Sequence, residues 1–190
     1  MALVNLDLET DTTSAREIRE IAYEVGAAQV GEFVLTSGLR SNRYFEGKNI
    51  TLWPKGAHVV GEAILEVLGD MEIDAIGGLA TGAYPIVTAV ALTSYQKGRP
   101  IPSFVVRAEG KKHGAERRIE GHLEKGWRVA IVDDVITTGG STLSAIEAVE
   151  AMECRVAKVI ALVDRHEGGG EEIRRRGYDF CAILGFRSEG

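Results

Sequence analysis

The chain has 190 residues, 45% of them hydrophobic and 26% charged, the balance of one globular domain and not of a disordered or fibrous chain. Its 22 basic against 28 acidic residues leave a formal charge of −6, which argues against a duplex nucleic-acid binder driven by general basicity. No apolar run approaches the ~18 residues of a membrane span. Met1 to Asp7 lacks the basic-then-apolar order of a secretory leader, and Cys154 and Cys181 form no CxxC pair. A reducing, cytoplasmic setting is expected, in which the sequon Asn49-Ile50-Thr51 carries no meaning. The 23 glycines exceed the usual share of about 7%, so some are expected in turns where backbone approaches a ligand.

In chain order, Ser14-Ala15-Arg16-Glu17 reads as a capping box with Ser14 as the cap. Ile18, Ile21, Ala22 and Val25 share the following helical face, and Gly26 stops it. Phe33 to Gly38 and Ser41 to Phe45 read as short strands around a bend. After Pro54, the stripe Val59, Val60, Ala63, Ile64, Val67 and Leu68 predicts a buried helix ended by Gly69. Ile73 to Gly78 reads as a central strand, the segment from Pro85 through Leu92 as a helix, and Ser103 to Val106 as a strand. Arg107 to Gly121 is charged and glycine-bearing. Trp127 to Val132 predicts a strand, Ser141 to Met152 a helix, Arg155 to Val163 a strand, Ile173 to Arg176 a helix end, and Phe180 to Leu184 a last strand. This alternation from residue 56 onward predicts an α/β fold, a parallel sheet with helices on both faces. The first 50 or so residues break the rhythm and are expected to cap the sheet. Gly168-Gly169-Gly170 is the only linker-like run, too short to divide the chain, so residues 1–190 are read as a single domain.

The stretch Val129 to Ser141 carries the chemistry. Four apolar residues make a buried strand, and Asp133 and Asp134 stand at its C-terminal end, where open α/β sheets place ligands. Val135, Ile136, Thr137, Thr138, Gly139, Gly140 and Ser141 then form a hydroxyl- and glycine-rich turn into a helix. Backbone N–H groups and the helix start suit a phosphate, and the two carboxylates suit ribose hydroxyls. An ordinary strand–turn–helix corner is the plainer alternative, but it does not call for two acids, two threonines and two glycines together. No G-x-x-x-x-G-K-[ST] occurs and no G-x-G-x-x-G follows a strand, which excludes the nucleoside-triphosphate and dinucleotide fingerprints. No HExxH or paired-Cys spacing marks a zinc site.

The string Val129 to Ser141 resembles the 5-phosphoribosyl-1-pyrophosphate (PRPP) signature of type I phosphoribosyltransferases. Phe33-x-Leu35-x-Ser37-Gly38-x-x-Ser41-x-x-Tyr44 resembles the N-terminal hood of the orotate branch of that family, and Arg107-Ala108-Glu109-Gly110-Lys111-Lys112-His113-Gly114 its mobile catalytic loop. The three segments occur in the family's order and span nearly the whole chain. The resemblance implies the type I phosphoribosyltransferase fold, a parallel sheet flanked by helices. A small hood would lie within residues 1–50, the core within 56–190, and a mobile loop near 107–121.

It also implies transfer of the 5-phosphoribosyl group from PRPP to orotate, giving orotidine 5′-monophosphate and pyrophosphate in pyrimidine biosynthesis. Lys111, Asp133 and Asp134 would be the catalytic residues. Arg107, Lys111 and His113 would contact the pyrophosphate, Asp133 and Asp134 the ribose, and Thr137 to Ser141 the 5-phosphate. Tyr44, Phe45, Thr137 and Arg165 would receive orotate, Arg165 facing its carboxylate. Mg²⁺ would arrive bound to PRPP, and a homodimer would let one subunit's loop cover its partner's site. Residues 107–118 hold five cations against two acids, suited to stabilising a leaving diphosphate. Thr36 stands where many members of the family have a lysine, Gly82 where some do and others commonly do not, and Ala108 where members usually carry one. The alternatives are transfer to another base, or a non-catalytic PRPP sensor.

Overall fold

The computed structural model describes residues 4–34, 40–108 and 118–186, with side chains left out at 32–34 and 40–43. Its elements are β1 (Asp7–Leu8), α1 (Thr13–Glu24), β2 (Ala28–Val34), β3 (Arg40–Phe45), α2 (Gly47–Thr51), α3 (Pro54–Leu68), β4 (Ala75–Leu79), α4 (Ala83–Gln96), β5 (Ser103–Val106), β6 (Ile119–Gly121), β7 (Arg128–Ile136), α5 (Gly140–Glu150), β8 (Arg155–Asp164), α6 (Gly169–Arg175) and β9 (Phe180–Gly185).

Seven strands form one sheet in the order β1-β9-β8-β7-β4-β5-β6. The inner pairs are parallel, as expected of strands that read as near-continuous apolar runs, and β1 and β6 close the two edges antiparallel. One buried cluster unites α1, α3 and α4 with Ala130, Val132, Ile160 and Leu162; the other packs α5 and Ile173 against Val129, Ile131, Val159 and Ala161. Alternate residues of β7 thus feed two cores, the period-2 consequence of a strand buried on both faces. β2 and β3 pair separately as an antiparallel hairpin.

Several local expectations are corrected. Thr12, not Ser14, caps α1: its hydroxyl accepts the Ala15 N–H at 3.1 Å, while Ser14 donates to Glu66 Oε1 at 2.8 Å and ties α1 to α3. The first 50 residues are more than a cap, since Asp7 and Leu8 pair with Gly185 and Leu184 and extend the main sheet. β7 runs four residues past Val132, so Asp133 and Asp134 lie inside the strand and not beyond it. Gly168-Gly169-Gly170 is no linker: it starts α6, with Gly169 and Gly170 buried. The short α2, the strand β6 and the edge strand β1 were not anticipated.

Candidate active site

The C-terminal ends of β4, β5, β7 and β8 face one side of the sheet, and the hairpin with α2 lies beside them. Neighbouring residues of a pleated strand point to opposite faces, and this divides the two acids. Asp133 turns toward α5, where its Oδ2 accepts the Thr142 hydroxyl at 2.7 Å and only 6% of the residue is exposed. Burial pushes its carboxyl up to about 7, against the pull of the Thr142 hydrogen bond and with a further push from the neighbouring Asp134 charge. Asp134 turns toward α2 and the β4–α4 turn. Its Oδ1 accepts the Val135 N–H at 3.0 Å, and its Oδ2 lies 3.8 Å from Lys48 Nζ. A Cβ at Gly47 would press on the Asp134 Cβ, and one at Gly82 on its carboxylate, so side chains there would require Asp134 to shift.

Past Ile136, a cavity of about 120 Å³ is lined by Asp133, Val135 to Ser141 and Thr142. Gly139 takes φ +80°, a conformation costly for any residue with a Cβ, and hands the chain to α5. The turn is braced from below: Gly169 N donates to the Thr137 carbonyl at 2.9 Å, and a Cβ on Gly169 would meet Gly139 N at 2.7 Å. The first turn of α5 therefore presents its unpaired N–H groups to the cavity with glycine on both sides of the entry, the arrangement an anion requires.

Besides Thr137, the residues expected to receive orotate lie on β3 and after β8. Tyr44 and Phe45 are neighbours on β3 and separate by parity. Tyr44 is half-buried and donates its hydroxyl to Glu46 Oε2 at 2.8 Å, whereas Phe45 is buried with its ring 6.2 Å from that of Phe186. Arg165 follows β8, anchored by its N–H on the Ile136 carbonyl at 3.0 Å. Its guanidinium, 5.5 Å over the Phe186 ring, pairs with Glu167 at 2.9 Å, and the residue is 5% exposed. The guanidinium end of this pair is buried, while Glu167 is exposed. Arg107, at the end of β5, bonds Glu120 Oε1 at 3.1 Å, and the same carboxylate accepts the Tyr84 hydroxyl at 2.8 Å. Lys111 and His113 lie outside the described residues.

The phosphoribosyl transferase domain matches residues 46–177, most of this chain. The chain belongs to the phosphoribosyltransferase family. This phosphoribosyltransferase is 44% identical over 170 residues to the orotate phosphoribosyltransferase of Aquifex aeolicus, covering 90% of this chain and 92% of that protein. It is 40% identical over 174 residues to the one from Nostoc, covering 91% of this chain and 84% of the relative. Among solved structures, Mycobacterium tuberculosis orotate phosphoribosyltransferase in complex with PRPP superposes with a TM-score of 0.75 at 32% identity, covering 90% of this chain and 96% of that one.

Within this phosphoribosyltransferase, the corner from Asp133 to Ser141 is one continuous wall, with Thr137 bonded to α6. Phe45 and Arg165 meet at Phe186, while Tyr44 turns to Glu46. The sequence reading missed Lys48, Glu46, Thr142 and Phe186. Glu46-Gly47-Lys48 directly after the hood strand was the available signal for the first two, a charged pair around a glycine. Thr142 and Phe186 had none beyond proximity to a motif.

Proposed function

We propose that the chain is an orotate phosphoribosyltransferase of pyrimidine biosynthesis, transferring the 5-phosphoribosyl group of PRPP to orotate with release of pyrophosphate. The observation that carries the reading is the β7–α5 corner, where a phosphate-sized cavity of backbone N–H groups adjoins two carboxylates on opposite faces of one strand. Relatives named for this activity match over about nine-tenths of the chain.

In the proposed mechanism the turn Thr137 to Ser141 holds the 5-phosphate, and Asp133 and Asp134 hold the ribose hydroxyls. A base nitrogen of orotate forms the bond to C1 and releases its proton to solvent or to the departing diphosphate, which leaves with the C1–O bonding pair through an oxocarbenium-like transition state. The Asp134 carboxylate lies beside the developing positive charge and stabilises it electrostatically. Arg165, fixed by Glu167 and Phe186, presents its planar fork to the orotate carboxylate, with Tyr44 at the same end. Arg107, with Lys111 and His113, receives the diphosphate, exchanging Glu120 for it. The carboxylate oxygens of this corner suit a hard cation, but among the described residues no three acids, histidines or cysteines converge. Mg²⁺ would come mainly bound to PRPP, as the family resemblance implies, and would supply charge neutralisation at the diphosphate.

We further propose a homodimer in which residues 1–190 act as one catalytic unit. Tyr84, Leu92 and Tyr95 of α4 expose 41%, 58% and 73% of their surface, the latter two one turn apart and Tyr84 two turns before them, an apolar surface a second copy would cover. A cytoplasmic setting fits the unbridged Cys154 and Cys181 and a fold whose described helices are too short or too polar to cross a membrane.

The test follows orotate absorbance with PRPP and Mg²⁺ present. PRPP-dependent loss of absorbance, absent with adenine, guanine or uracil as sole acceptor, is expected. A folded protein that binds PRPP yet leaves orotate unchanged overturns the assignment.

A further inference from the structure

Lys48, on the first turn of α2, sits among side chains that restrict it from several directions. Glu46, the residue capping α2, accepts the Lys48 N–H at 3.3 Å and the Lys48 ammonium at 3.2 Å through Oε1, while its Oε2 accepts the Tyr44 hydroxyl at 2.8 Å. Burial acts to raise the Glu46 carboxyl, but the hydrogen bonds from Tyr44 and Lys48 outweigh it and hold the group below its ordinary range. A carboxylate pinned at both oxygens is a fixed anchor for the ammonium, whose long stem would otherwise sample many rotamers. The anchored ammonium lies 3.8 Å from Asp134 Oδ2.

Asp134 is restricted in turn. Val135 N–H occupies Oδ1, and Gly47 and Gly82 lie so close to the side chain that a Cβ at either would displace it. Lys48 is the only cation that the described residues bring to an ion-pair distance of this carboxylate. At 43% side-chain exposure it remains within reach of solvent and of a bound anion.

We infer that Lys48 is a positioning residue: working from the Glu46 anchor, it fixes the Asp134 carboxylate for the ribose and offsets the repulsion between that carboxylate and an incoming diphosphate. The inference rests on the transferase reading, which gives Asp134 a phosphorylated ribose to hold.

A double-mutant cycle tests it, read by PRPP calorimetry without acceptor and by steady-state rates with orotate. Lys48→Met is expected to weaken PRPP binding and to lower kcat/KM for PRPP about 20-fold, with the KM for orotate changed less than about twofold. In an Asp134→Asn background the same substitution should cost less than about twofold, because the group it acts on is gone. Lys48→Arg should recover most of the loss. Equal losses in both backgrounds, or an arginine variant no better than the methionine one, overturn the role. Thermal melts verify folding. If Lys48→Met does not fold, Glu46→Gln, which keeps an acceptor for the α2 cap but loses the anchoring charge, should show a smaller loss that again vanishes beside Asp134→Asn; additivity there overturns the role equally. Wild-type protein that binds PRPP but does not consume orotate would remove the orotate reading alone and leave the calorimetric cycle to judge Lys48.

Discussion

Asp133 and Asp134 look interchangeable as letters and are unlike as groups. Asp133 is sealed against Thr142 and holds its proton to about pH 7, whereas an unfolded aspartate releases it near 3.8. Between those values the native chain binds more protons than the unfolded one, so this group's contribution to stability falls as pH rises and levels off above about 7. Asp133→Asn removes the penalty and keeps an acceptor for Thr142. Its melting temperature should exceed that of wild type by more at pH 8 than at pH 4, and an equal difference at both would contradict the buried assignment. The same variant should lose activity, the usual conflict between a strained site and stability. Asp134→Asn should fold normally and lower kcat about 100-fold, measured under saturating PRPP and orotate. Lys111→Ala should also lower turnover strongly; wild-type rates would remove the loop from the mechanism. That both acids follow a buried apolar run was legible in the sequence. Their division between faces was not, because it depends on the strand continuing to Ile136.

At the scale of elements, β4, α4, β5, β7, α5, β8 and β9 were readable because each buries an apolar run bounded by glycine, proline or charge. What escaped was short or disguised. α2 has five residues and depends on Glu46 for its cap, and β6 offers one apolar residue, Ile119, within a charged run. β1 is two residues long and exists only because β9 is there to pair with it. Tertiary partners, and not local propensity, decide such segments. The three consecutive glycines after Glu167 misled for a related reason, since close approach and looseness share a composition. Gly169 supports the phosphate turn by contact with Ile136, Thr137 and Gly139. Gly169→Ala should therefore destabilise the fold by about 1–3 kcal/mol in urea titration, as overpacking does, and weaken PRPP binding in calorimetry. A variant with unaltered PRPP affinity would show that the turn keeps its shape without this brace.

For the molecule as a whole, the outward face of α4 gives the clearest expectation. Leu92→Asp with Tyr95→Asp should convert a micromolar dimer to monomer in light scattering with little change in melting cooperativity, because both side chains are largely exposed within one chain. A persistent dimer would direct attention to another face. The partition of the interior by β7 reaches further. Its end is the top of a wall between two flanks: one roofed by α5 and holding the glycine-rich turn, the other bordered by α2 and the β4–α4 turn. A small molecule gripped by both acids has to straddle that wall, its phosphate hanging on one flank and its reacting carbon on the other. Compounds confined to a single flank would leave half of the recognition unused, so tethering a phosphate mimic to a planar carboxylate across the ridge is the geometry for a tight inhibitor.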